Sequence, residues 1–106
     1  MDRRNLLKQE LNSFIDGVKK NIPVSKVIVF GSYATGNVKE DSDLDIVLIA
    51  ETKDNFWKRL KAISKHYSNK VGMDVLFYTP QEFNDLADKR VFFKKEIVEK
   101  GLVVYG

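Results

Sequence analysis

Five residues in three short stretches carry groups that could do chemistry together: Gly31 and Ser32, Asp43 and Asp45, and Asp74. Side chains alternate along a strand, so Asp43 and Asp45 point to one face with Cα atoms about 7 Å apart, while Leu44, Ile46 and Leu48 take the other face. Two carboxylates this close repel unless a cation lies between them, and a hard divalent ion with oxygen ligands is the usual solution. On its own, Asp-x-Asp at a strand mouth is commonplace and reads as a solvated strand end. Asp74 changes the weighting, because it is the one acid inside the apolar run from Val71 to Tyr78. A lone buried carboxylate costs on the order of several kcal/mol unless it is paired, protonated or metal-bound. If its strand neighbours that of Asp43 and Asp45, the three acids form one cluster. The plainer alternative has Asp74 capping the strand entry after Gly72.

Gly31-Ser32 supplies a counterpart to the acids. A glycine where a buried strand ends lets the backbone approach a ligand closely. Successive N–H groups there, with the Ser32 hydroxyl, make a nest for phosphate oxygens, and a helical turn at Tyr33-Ala34-Thr35 would add a favourable dipole. Taken alone, Gly-Ser is an ordinary turn. Two competing motifs fail. Gly31 and Gly36 have the glycine spacing of a P-loop, but Asn37-Val38 stands where Lys and Ser or Thr are required. Asp41-Ser42-Asp43-Leu44-Asp45 starts like an EF-hand, but Ile46 replaces the glycine and Thr52 the bidentate glutamate.

The elements that must position these groups follow from periodicity. Leu7, Leu11, Phe14, Ile15 and Val18 form one apolar stripe, which predicts a helix over 3–20 that stops at Asn21-Ile22-Pro23. Lys26–Phe30 reads as a buried strand, 33–42 as a loop with one helical turn, and Leu44–Ala50 as a second strand. Phe56, Leu60, Ile63 and Tyr67 predict a helix over 53–68, followed by a turn at Asn69–Gly72 and a strand from Met73 to Tyr78. Thr79-Pro80-Gln81-Glu82 has the form of a capping box with proline at the first helical position. Helical pattern continues with a break near Asp88 to Lys100, Gly101 caps it, and Leu102–Tyr105 forms a last short strand. The helical crossover makes the second and third strands parallel, and the loop makes the first and second antiparallel. The expected fold class is α/β of the α+β kind, a small mixed sheet flanked by helices.

Bulk properties narrow the class. The 106 residues suit one domain, 1–106, and 43% hydrophobic with 31% charged residues is a globular composition. Without cysteine there is no disulfide framework or thiolate zinc site, and a single histidine disfavours a His-based triad. No apolar run approaches the ~20 residues that span a bilayer, and the start Met1-Asp2-Arg3-Arg4-Asn5 lacks the apolar stretch of a secretory signal, so a cytoplasmic location is expected. The net charge of +3 comes from scattered residues, which is weak support for a direct nucleic-acid ligand. Other conspicuous residues have bland readings. His66 is expected as an exposed helix residue, Lys58, Arg59, Lys61 and Lys65 as the wet side of a helix, Trp57 and Phe92-Phe93 as core or partner interface, and Tyr105 as an edge-strand residue.

The run Gly31-Ser32-Tyr33-Ala34-Thr35-Gly36 followed by Ser42-Asp43-Leu44-Asp45-Ile46-Val47 resembles the Gly-Ser … Asp-x-Asp signature of the DNA polymerase β-like nucleotidyltransferase superfamily. At this length the chain is similar to the minimal nucleotidyltransferase (MNT) group, whose members often pair with a HEPN-domain protein. The resemblance implies that Gly31 and Ser32 hold the β- and γ-phosphates of ATP. It implies that Asp43 and Asp45 bind two Mg²⁺ ions, and that Asp74 shares one ion and helps deprotonate the attacking hydroxyl. The implied reaction moves NMP, by expectation AMP, to an acceptor hydroxyl and releases pyrophosphate. Relatives often carry arginine just before the second glycine of the loop; this chain has Thr35, and the cation nearest in sequence is Lys39. Larger enzymes of the superfamily add an acceptor-binding domain, so here a second copy or a partner protein is expected to complete the site. The leading expectation is an antitoxin that adenylylates and neutralises a HEPN toxin. The alternatives are a binding-only antitoxin with an idle nucleotide site, and a small-molecule (antibiotic) nucleotidyltransferase.

Overall fold

Asp2 accepts a hydrogen bond from the Asn5 amide at 2.8 Å and so caps the first helix, α1 (Arg3–Val18). All five residues of its predicted stripe are buried. The structure is a computed structural model, and it describes residues 2–106. After the stop at Pro23 come β1 (Val24–Phe30), the single turn α2 (Ser32–Thr35), β2 (Leu44–Ala50), α3 (Phe56–Ser64) and β3 (Met73–Tyr78). They are followed by α4 (Pro80–Lys89), α5 (Phe93–Glu99, wound as a π-helix) and β4 (Leu102–Tyr105). The four strands form one mixed sheet in the order β3-β2-β1-β4, with β2 and β3 parallel and β1 and β2 antiparallel as expected, and β4 antiparallel to β1 at the far edge.

Strand alternation divides the core in two. Val27, Val29, Leu44, Ile46 and Leu48 face α1 and α3, and Phe14 of α1 lies against Tyr67 with ring centroids 6.0 Å apart. Each fully buried Leu, Val or Phe side chain contributes about 1.5–3 kcal/mol on this face. Ile28, Val47 and Ile49 face the other way, toward Phe93 and Ile97 of α5, with Phe83 and Leu86 of α4 beside them. That second cover stops short. Asp43, Asp74 and part of Leu76 stay exposed, so one end of this face is open.

The departures from expectation have local causes. α3 is shorter than 53–68 because Asn55 caps it, accepting from the Lys58 amide at 3.0 Å, and a turn follows Ser64. Phe56, expected on the apolar stripe, is 68% exposed and lines an open groove beside the outer strand β3. Trp57 and Phe92 are exposed as well, whereas Phe93 is core. His66 lies in the turn after α3, half-buried over Gly17, where burial and then Lys65 and Lys20 push its pKa down. The helical break falls at Arg90, whose backbone is extended (φ −118°, ψ 115°).

Arg59 also departs from its expected place on the wet side of α3. It donates to the carbonyls of Asp54 (2.8 Å) and Phe77 (3.3 Å) and to both carboxylate oxygens of Glu82 (2.6 and 3.2 Å). This bidentate bond from Arg59, with the Thr79 amide, holds the Glu82 carboxyl below its ordinary range while completing the capping box of α4. One side chain thus ties α3, β3 and α4 together. Arg59→Ala is expected to lower stability by about 1–3 kcal/mol, toward the low end because Glu82 is 44% exposed. Urea unfolding with an unchanged slope and a lower midpoint would show it.

Candidate active site

The five residues singled out by type and spacing all lie at the open end of the second sheet face. β1 leads into Gly31, whose backbone (φ 73°, ψ −151°) occupies a region open essentially to glycine alone. A Cβ there would be driven into the Asp45 carboxylate, so only glycine lets the loop close down over that acid. Immediately afterwards α2 begins. The Ala34 and Thr35 amides donate back to the Gly31 carbonyl at 3.1 Å, and among the described residues those of Ser32 and Tyr33 have no acceptor. Two backbone donors and the half-buried Ser32 hydroxyl therefore stand free beside the acids.

β2 and β3 set the carboxylates. In their parallel register Asp45 stands opposite Asp74 and Leu44 opposite Met73, so Asp45 and Asp74 share a face one strand spacing apart, about 4.8 Å. Asp45 is half-buried, and its pKa is raised by burial first, then by the charges of Asp74 and Asp43. The expectation of a buried Asp74 is corrected: it is exposed, because β3 is an outer strand and the helices covering this face end before it. Asp43 precedes β2 and is turned aside. Its carboxylate accepts from the Gly72 amide at 3.2 Å and lies 3.7 Å from the Arg3 guanidinium. Gly72 leaves room for it, since a Cβ there would come within 2.6 Å of the Asp43 carboxyl carbon.

As placed, no three acids among the described residues close on a common point for a metal ion. The chemistry of the donor set nevertheless suits Mg²⁺. Hard oxygen donors gather at one strand end, and their mutual repulsion already disfavours the charged form of Asp45. The Gly72 amide and Arg3 both engage Asp43 through Oδ1, and its Oδ2 has no hydrogen bond or ion pair among the described residues.

The raised pKa has a measurable consequence in metal-free buffer. Unfolded Asp45 titrates near 3.8 and folded Asp45 higher, so between the two values the folded state binds more protons and gains stability as pH falls. Above the folded value the whole cost of the buried charge remains. Asp45→Asn is therefore expected to raise the unfolding temperature at neutral pH by a few degrees, with the gain shrinking as the pH drops through the folded pKa. Thermal unfolding of both proteins across pH 3–8 tests this, and a constant gap would contradict it.

Two residues of α1 that periodicity did not mark reach the same loop. Arg3 Nε donates to the Ser42 carbonyl at 2.9 Å, and Arg4 Nη1 donates to the Tyr33 carbonyl at 3.0 Å while its guanidinium lies 4.5 Å from the Tyr33 ring centre. Lys39, the cation nearest in sequence, is exposed, and the Thr35 hydroxyl stays within the loop, donating to the Gly31 carbonyl at 3.3 Å and accepting from Asn37 Nδ2 at 3.3 Å. One local signal was available. Two arginines in the first turn of a helix oppose its dipole, a cost that an outside partner can offset.

Comparison with known proteins bears on the family and the fold. Over 104 residues the chain is 26% identical to a Methanocaldococcus jannaschii protein named as a proposed protein adenylyltransferase, covering 92% of this chain and 97% of that one. Its fold is similar to that of a proposed nucleotidyltransferase from Sulfolobus solfataricus, with a TM-score of 0.73 at 16% identity over 96% of this chain and 82% of the other. It is also similar to a toxin–antitoxin structure with AMP-PNP (TM-score 0.65, 24% identity, 90% and 72% covered). A third likeness is to a Shewanella oneidensis complex of tri-AMPylated HEPN toxin with MNT antitoxin (TM-score 0.61, 20% identity, 94% and 72% covered). Among the described residues no helix is long and apolar enough to cross a membrane. The model of the nucleotidyltransferase domain family matches residues 11–104, nearly the whole chain, and the chain belongs to that family.

Proposed function

We propose that this nucleotidyltransferase moves AMP from ATP to a hydroxyl of a protein acceptor, as the antitoxin that modifies a HEPN-domain toxin in the cytoplasm. The observation that carries the reading is Gly31 folded against Asp45 with Asp74 in register beside it. The Ser32 and Tyr33 amides and the Ser32 hydroxyl bind the β- and γ-phosphates. Asp43, Asp45 and Asp74 are the residues that hold magnesium, which supplies the positive charge that stabilises the attacking and leaving oxygens. Asp74, exposed at the outer strand, takes the proton of the acceptor hydroxyl. The acceptor oxygen bonds to the α-phosphorus, the bond from that phosphorus to pyrophosphate breaks, and pyrophosphate leaves with its electron pair. No protein nucleophile is required, because positioning and charge do the work. The names of the Methanocaldococcus and Shewanella proteins support AMP as the group and a HEPN protein as the acceptor.

The test is intact-mass analysis of a HEPN-domain partner after incubation with this chain, ATP and Mg²⁺. A gain of one or more AMP groups is expected. An unmodified partner that is still neutralised, also by the Asp43→Asn and Asp45→Asn double variant, would replace this reading with a binding-only antitoxin.

A further inference from the structure

A groove of about 620 Å³ begins one residue beyond Asp74, lined by Val75, Leu76, Phe77 and Tyr78 of β3. Its walls come from Phe56 and Arg59 of α3 and from Asp85 and Leu86 of α4. Consecutive residues of a strand face opposite sides, so four in a row can line one cavity only if it runs along the strand's edge. β3 is the outer strand, and its edge is open. Gly72 O accepts from the Leu44 amide on the β2 side, while Phe77 O accepts from Arg59 on the outer side. By alternation the N–H groups of Met73, Val75 and Phe77 and the carbonyls of Met73 and Val75 point outward. None of them has a partner among the described residues. The groove therefore offers an extended chain a row of unpaired donors and acceptors, flanked by the exposed side chains Phe56 and Leu76.

We propose that an extended, basic segment of the acceptor protein adds to β3 as a fifth strand, and that this docking presents its hydroxyl residue to Asp74. The inference rests on the proposed function and names how its acceptor is held. Charge selects the occupant. Of the acids along the groove Glu82 is held by Arg59, but Asp85 has no ion pair among the described residues, nor has Asp74 where the groove meets the site. A second copy pairing antiparallel through β3 would turn about an axis normal to the sheet and set its α4 beside this one, Asp85 toward Asp85. Lysine or arginine at alternate positions of an added strand meets these acids on the face of Leu76 and α4 instead, while the intervening side chains lie on the opposite face against Phe56 and Phe77.

The probe is a short peptide alternating valine with lysine and carrying one tyrosine near an end, tested on the whole chain. Hydrogen exchange of the Met73, Val75 and Phe77 amides is expected to slow at least about tenfold with peptide, those of Asp74 and Leu76 being already paired with β2. Adding Mg²⁺ and ATP is expected to place AMP on the tyrosine. Asp85→Lys should weaken binding about tenfold, as should glutamate in place of the peptide's lysines. Val75→Pro removes an outward N–H without touching the ladder to β2, so peptide binding and labelling are lost while ATP uptake measured by calorimetry persists. If that variant does not fold, N-methylation of alternate peptide amides blocks the same bonds from the other side. Unchanged edge exchange, equal binding of the acidic peptide, or edge amides protected in a peptide-free dimer would each overturn the proposal. Loss of ATP uptake by the unaltered chain would instead overturn the function on which it rests.

Discussion

Changing Asp43 and Asp45 together to asparagine is expected to lower AMP transfer by about a thousandfold or more, with the sheet intact. Asparagine keeps the shape of each side chain but removes the two charges proposed to hold the metal, and charge stabilisation at the reacting centre is the largest single contribution such a site makes. On the proposed reading the loss falls mainly on kcat, because the Ser32 and Tyr33 amides and the Ser32 hydroxyl, the groups proposed to bind the triphosphate tail, are left untouched. Folding is not at risk. Asp43 is exposed, and the charged form of Asp45 is already penalised by burial and by its neighbours. Single-turnover transfer measured beside far-ultraviolet circular dichroism separates the two effects. A double variant that folds and transfers AMP at the parent rate would remove these acids from the chemistry.

The second large effect is expected at Gly31. Alanine there is forced into a backbone region that costs a non-glycine residue about 1–3 kcal/mol, and its methyl group collides with the Asp45 carboxylate. Either the loop lifts off the acid or the Asp45 carboxylate swings away, and both separate the amides proposed to bind phosphate from the acids proposed to bind metal. Gly31→Ala should therefore lower both the unfolding temperature and ATP affinity, the latter by more than about tenfold. Gly36 is the control. It also has a positive φ of 81°, but in the left-handed helical region and with open space around it. Gly36→Ala should cost about 1–2 kcal/mol of stability and leave ATP affinity unchanged. Equal effects on ATP binding at the two positions would mean that the contact with Asp45 is irrelevant.

The strands and the directions of the first three were legible because alternation and short connections leave few options. Ile46–Ala50 is continuous apolar sequence directly after Asp45, and the helical crossover to Met73–Tyr78 fixes a parallel pair; in the structure that pair brings Asp45 opposite Asp74. The capping box at Thr79–Glu82 was legible for the same local reason. What escaped the sequence depends on where elements end in space. Asp74 looks buried in an apolar run, yet that run becomes an outer strand and the acid meets water. Phe56 fits a helical stripe, but it ends on the wall of an open groove beside β3 and stays exposed. Arg3 and Arg4 lie 39 and 29 residues from the carbonyls they bind, and Arg59 lies 23 from Glu82, separations that periodicity cannot see.

The anchoring of α1 has one more consequence. Leu7, Leu11 and Phe14 fix the body of this helix in the core, while its first turn reaches out to grip the Ser42 and Tyr33 carbonyls. Helix ends are the first parts of a fold to open on warming, well before central strands. The loop above the acids is thus braced by the most perishable turn of the helix, so mild heat should slacken the catalytic mouth while the sheet behind it stays whole.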